Sequence, residues 1–97
     1  MATYILLINW TDQGIRSVKD SPKRLDASRA VAKKMGVKFN DFYLTMGDHD
    51  MVALIEAPND DTIAKFVLGL ASAGNVRTKT LKAFSEKDYR SIIGSLS

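Results

Sequence analysis

The sequence predicts an α+β fold in which the elements run β-α-β-β-α-β, with one more helix after the last strand. Three observations predict it. The runs TYILLINW (Thr3–Trp10) and DMVALIEA (Asp50–Ala57) are short and rich in branched or aromatic residues, as strands are. Ile63, Phe66, Val67 and Leu70 recur at i, i+3, i+4 and i+7, one stripe of a helix. Glycines and Asx or Pro clusters punctuate the chain between these segments.

The first strand spans Thr3–Trp10. TDQG follows as a turn, and Ile15–Lys19 is expected to form a short helical turn. DSPKR starts a long helix, with Asp20 or Ser21 as cap and Pro22 in the first turn, where its missing N–H costs nothing. That helix runs to about Met35, and Gly36 ends it. Strands are expected over Val37–Met46 and Asp50–Ala57. Asn59 or Asp60 caps the next helix, which Gly74 closes. NVRTKTLKAF is the fourth strand, and Ser85 caps a terminal helix reaching Leu96. This order is the ferredoxin-like βαββαβ arrangement with a C-terminal helix.

Two main helices cover one face of such a sheet. Tyr4, Leu6 and Ile8 point one way while Ile5 and Leu7 point the other; Met51, Ala53 and Ile55 likewise alternate with Val52 and Leu54. A sheet that is apolar on both sides needs cover on both sides. The expectation is a homodimer or higher homo-oligomer with sheets face to face, a dimeric α+β barrel.

Residues 1–97 are expected to form one domain of globular composition, 45% hydrophobic. There is no cysteine, which excludes disulfides, thiol nucleophiles and thiolate metal sites. The longest apolar run is too short to span a membrane, so a cytoplasmic location without a membrane partner is expected. The net charge is +3, with lysines and arginines concentrated between Lys19 and Lys38. A solvated helix face accounts for that cluster. No nucleic-acid-binding signature accompanies it, and nucleic acid is not the expected partner.

The stretch Gly47-Asp48-His49-Asp50 contains the chain's single histidine. A hairpin loop accounts for most of it: Gly47 admits positive φ and Asp48 can bond nearby amides. Adjacent ligands on extended backbone alternate sides, so no metal site is expected. His49 as a general base, oriented by a neighbouring aspartate, is the sharper alternative. Arg24 is anomalous. It falls on the inward stripe with Leu25, Ser28, Val31 and Met35, and must snorkel at the helix end, find a carbonyl or anionic partner such as Asp50 or Glu56, or meet a carboxylate or phosphate ligand. Asn9 shares a face with Ile5 and Leu7 and needs hydrogen-bond partners, and Trp10 reads as a core or interface anchor. Thr78 and Thr80 alternate with Arg77 and Lys79. No phosphate loop, nucleophile elbow or dinucleotide fingerprint is present, and no cofactor is implied.

Over nearly its whole length the chain resembles the GYD domain family, on the blocks YILLINWTDQGIRSVKDSPKR, FYLTMGDHDMVALIEAP and GNVRTKTLKAF. His49 stands where that family's signature has a tyrosine before the aspartate. The resemblance implies a ferredoxin-like fold with dimeric-barrel relatives, and no settled activity. The second half, GDHDMVALIEAPNDDTIAKFVLGLASAGNVRTKT, also resembles the amino-acid-binding domain of leucine-responsive regulators. There, matching positions line effector pockets between dimers, which puts Gly47, Asp48, Asp50, Asn75, Thr78 and Thr80 among the candidate ligand-binding residues beside Asn9, Arg24 and His49.

Three functions follow as expectations. The leading one is a small-metabolite-binding or regulatory domain acting as a homo-oligomer, its ligand anionic or zwitterionic. The second is a cofactor-free oxygenase, isomerase or decarboxylase with His49, Asn9 and Tyr43 near its pocket. The third is an oligomeric protein-interaction module.

Overall fold

In the computed structural model, which describes residues 1–97, four antiparallel strands form one sheet in the order β2-β3-β1-β4. β1 is Ala2–Trp10, β2 Lys38–Leu44, β3 Met51–Ala57 and β4 Val76–Ala83. The helices are α1 (Asp12–Arg16), α2 (Ser21–Lys34), α3 (Asp60–Ser72) and α4 (Glu86–Gly94), and a 3-10 turn at Val18–Asp20 leads into α2. The ferredoxin-like order is the one expected, with its two long helices on one side.

Capping chemistry sets the helix ends. Asn59 Oδ1 accepts the Thr62 N–H at 2.9 Å and starts α3; Ser85 Oγ accepts the Asp88 N–H at 3.1 Å and starts α4. Asp20 precedes α2 without a side-chain cap bond, and Pro22 sits in the first turn. Gly36 leaves α2 with φ of 74°.

The chain departs from expectation in three places, one of them α4, which ends at Gly94 and does not reach Leu96. TDQG is a helix start rather than a turn, because Thr11 Oγ1 accepts the Gly14 N–H at 3.1 Å and α1 begins at Asp12. The helical turn expected over Ile15–Lys19 is therefore divided between the end of α1 and the 3-10 turn. β2 is shorter than Val37–Met46: the Val37 N–H bonds the Ala32 carbonyl at 2.8 Å in the closure of α2, and the register slips between Phe39 and Asp41.

The core lies between the sheet and the helices. Tyr4, Leu6, Ile8, Met51, Ala53, Ile55 and Ala57 are all buried on that face, met by Ile63 and Phe66 of α3. From α2 only Ala32 is fully buried. On the opposite face, register places Ile5 beside Leu54 and Leu81, Leu7 beside Val52 and Lys79, and Tyr43 beside Val52. Nothing in the chain covers these side chains, and the sheet stays open. α4 also stands clear of the body, with every residue from 84 to 97 exposed.

Candidate functional site

The polar residues singled out in the sequence meet chiefly at one end of the sheet, where β1 finishes, β4 begins and the β2–β3 loop folds over. Asn9 is at the centre. Its Nδ2 donates to the Asp48 carbonyl at 3.0 Å, and its Oδ1 lies 3.1 Å from His49 Nδ1. Asp50 Oδ2 accepts the Trp10 N–H at 2.9 Å, while the Asp50 N–H bonds the Ile8 carbonyl at 3.0 Å. Thr45 Oγ1 donates to the His49 carbonyl at 2.6 Å, and the Thr45 N–H bonds the Asp50 carbonyl at 2.8 Å. Gly47, at φ of 106°, makes the turn. The four-residue stretch is thus a loop bonded to the end of β1, and Asn9 has the partners its half-buried amide requires.

Gly14 and Asn75 fix the adjoining corner. The Thr11 N–H bonds the Asn75 carbonyl at 3.0 Å, and Gln13 Nε2 donates to Asn75 Oδ1 at 3.0 Å. Gly14 is buried hard against that backbone. A methyl group there would overlap the Asn75 carbonyl oxygen and lie 2.9 Å from its carbon.

Arg24 is held by carbonyl and hydroxyl oxygens, and neither Asp50 nor Glu56 is its partner. Nη1 donates to the Ser17 carbonyl at 3.0 Å and to Ser17 Oγ at 3.1 Å; Nη2 donates to the Gly14 carbonyl at 3.1 Å. The guanidinium thereby ties the start of α2 to the end of α1. Thr78 and Thr80 lie on the helix side, opposite Ile8 and Leu6, and apart from the loop cluster. Tyr43 is on the open face and exposed.

One residue of this end escaped the candidate set. Arg77 pairs in register with Asn9 and shares the open face with it, exposed and without an ion-pair partner. Its alternation with Thr78 was legible, but its place beside Asn9 depends on strand register.

A separate cavity of about 700 Å³ opens between α2, α3 and the helix side of the sheet. Its lining is largely apolar, including Leu25, Val31, Met35, Phe39, Leu44 and Leu70. Of the residues singled out in the sequence as ligand-binding, only Arg24 and Asn75 reach it.

At the far end of the sheet the Tyr4 hydroxyl donates to Asp60, and Lys82 Nζ lies 3.1 Å from the same carboxylate. The Tyr4 bond, then Lys82, holds the Asp60 carboxyl below its ordinary value. In return, the bond to Asp60 pushes the Tyr4 hydroxyl up to about 12. This links the first turn of α3 to β1 and β4, away from the loop cluster.

The GYD domain model matches residues 4–93. The chain belongs to the GYD domain family. A Thermus thermophilus protein named glutamine synthetase and cystathionine beta-lyase binding protein is 34% identical over 89 residues, covering 91% of this chain and 94% of that one. By structure, the GYD chain resembles a feast or famine regulatory protein of M. tuberculosis complexed with L-methionine. The TM-score is 0.67 at 16% identity, over 88% of this chain and 51% of that one. The Thermus thermophilus protein TTHA0845 matches with a TM-score of 0.56 at 25% identity, over 88% of this chain and 95% of that one. The chain thus spans about half the length of the matched regulator, whose likeness is one of fold. The sequence relative is named as a binding protein and the M. tuberculosis fold neighbour as a regulatory protein.

Proposed function

We propose that this GYD chain is a regulatory binding domain that works as a homodimer. In this reading its open sheet face meets the same face of a second copy, and a zwitterionic ligand of amino-acid type binds at the rim of that contact. The observation that carries it is the open face. Ile5, Leu7, Val52, Leu54 and Leu81 form an apolar surface over a sheet that the chain leaves uncovered. The rim also supplies charges suited to a zwitterion. Arg77 pairs in register with Asn9, and Asp48, whose backbone carbonyl Asn9 bonds, is exposed in the adjoining loop, so one can take a carboxylate and the other an ammonium group.

The fold likeness to a regulator complexed with L-methionine supports the ligand class. The name of the Thermus relative supports a second reading, in which the assembled dimer recruits an enzyme of amino-acid metabolism. Turnover has less support: Asn9 and Asp50 are committed to holding a loop, and the large cavity opens on the other side of the sheet.

Titration calorimetry with the common amino acids tests the ligand. At least one should bind, and Arg77→Ala should weaken it roughly tenfold or more, the loss of a charge-assisted hydrogen bond. Binding to none of them, or binding indifferent to Arg77, contradicts the ligand reading and leaves protein recruitment.

A further inference from the structure

Gly69 is the odd residue of α3. A glycine inside a helix weakens it relative to alanine, and close approach by another group is the usual reason to keep one there. Here the opposite holds: Gly69 lines the α2–α3 cavity, and a Cβ built on it meets nothing within 4 Å. Small residues stand on both walls, Ala27 and Ser28 from α2, Gly69 and Ala73 from α3 and its end. Leu25, Val31 and Met35 of the apolar stripe of α2 line the space, and none of them is fully buried. The helices thus leave open about 700 Å³, within the roughly 300–1,000 Å³ of small-molecule sites.

The cavity is long, and its ends differ. It reaches from the level of Phe39, which pairs with Ile55 and so lies level with Tyr4, to Trp10, roughly 20 Å at the usual strand rise. Met35, Phe39 and Leu6 line the first end, whereas Arg24 and Asn75 stand at the Trp10 end. The charged lining residues are Arg24 and Lys65, both cationic, and no carboxylate lines the space. Arg24 keeps spare capacity. Its bonds to Ser17 and Gly14 use both N–H groups of Nη1 and one of Nη2, so the Nε–H and the other Nη2 N–H bond nothing in the chain. Lys65 is exposed on α3 and has no ion-pair partner.

We infer that this cavity is a second ligand site, for an elongated apolar carboxylate of fatty-acid type. Its chain lies over Leu6 and Phe39, and its carboxylate meets the unused N–H groups of Arg24, with Lys65 adding positive charge along the wall. An amino acid does not suit this space, because no carboxylate there answers its ammonium group. The site is on the helix side of the sheet and is independent of the zwitterion reading at the rim of the open face.

Trp10 is the chain's single tryptophan and lines the cavity, so its emission reports this site rather than the open face. Laurate, titrated below its micelle concentration into the full-length protein, should shift Trp10 emission to the blue and saturate at one molecule per chain. Dodecylamine, with the same chain and a cationic head, should bind roughly tenfold or more weakly. Gly69→Leu fills the space from α3. It should unfold at the same or a higher urea concentration than the parent, and weaken laurate roughly tenfold or more. Absence of saturable laurate binding overturns the inference. So does dodecylamine binding equal to that of laurate, or a folded Gly69→Leu chain that binds laurate as the parent does.

Discussion

The two faces of the sheet are built from the same kinds of residue and meet different fates. Leu6 and Leu7 are neighbours in β1, yet Leu6 is fully buried under the helices while Leu7 is half-exposed on the open side. Ile55 and Leu54 repeat the contrast in β3. One face is covered by α2 and α3; the other has apolar residues of similar size and no cover. Composition alone does not separate a core from an interface, and the missing layer does. The helix side holds the chain together, and the open side is the surface proposed to hold two chains together.

Mutations can break this comparison from either side. The largest effects belong to the helix side and its close-packed corner. Leu6→Ala should cost about 2–5 kcal/mol in urea unfolding, from lost burial plus the cavity left behind. Gly14→Ala, which drives a methyl into the Asn75 backbone, should cost about 3 kcal/mol by the same measurement. Equal stability of Gly14→Ala and the parent would mean that α1 does not pack there as described. Arg24→Ala should come next, at about 2 kcal/mol for charge-assisted bonds to the Ser17 and Gly14 carbonyls. Its effect on melting temperature should persist in high salt, because its partners are dipoles rather than ions.

Leu7→Ala sharpens the contrast. Because the side chain is only half-covered within the chain, its cost to a single protomer should be about 1 kcal/mol, with the greater effect on association. Smaller still is a pH effect at the far end of the sheet. Asp60 is held below the ordinary carboxylate value, so its contribution is present above about pH 4 and lost as pH falls through its folded value. Tyr4 is raised, so its contribution is complete below about pH 10 and lost as pH rises toward 12. Tyr4→Phe should flatten both limbs of the melting-temperature profile, and an unchanged acid limb would contradict the Tyr4–Asp60 coupling.

Much of this fold was legible in the sequence because local rules sufficed. In the stripe Ile63, Phe66, Val67 and Leu70 the first two are buried in the core and Val67 packs against it, while Leu70 lines the α2–α3 cavity; Asn59 and Ser85 cap the helices they precede. Thr11 was harder to read: TDQG has turn composition, and only the Thr11–Gly14 bond makes it a helix start. Arg24 illustrates the limit of pattern reading. Backbone carbonyls satisfy it, and every residue carries one, so no side-chain motif marks the partner. The Asn9 cluster was half legible. Residue types drew attention to the loop and to Asn9, while the placement of Arg77 beside them needed the β1–β4 register. The α2–α3 cavity has no local signature, since it is a gap left by the packing of two helices.

The most direct test of the two-faced sheet is sedimentation equilibrium on the intact chain. The account predicts a species of twice the 10.7 kDa of one chain at micromolar concentration. Adding Leu7→Arg should reduce that species to a folded single chain. A folded chain that is monomeric at that concentration, or a dimer indifferent to Leu7→Arg, would contradict the pairing of two copies through the open face.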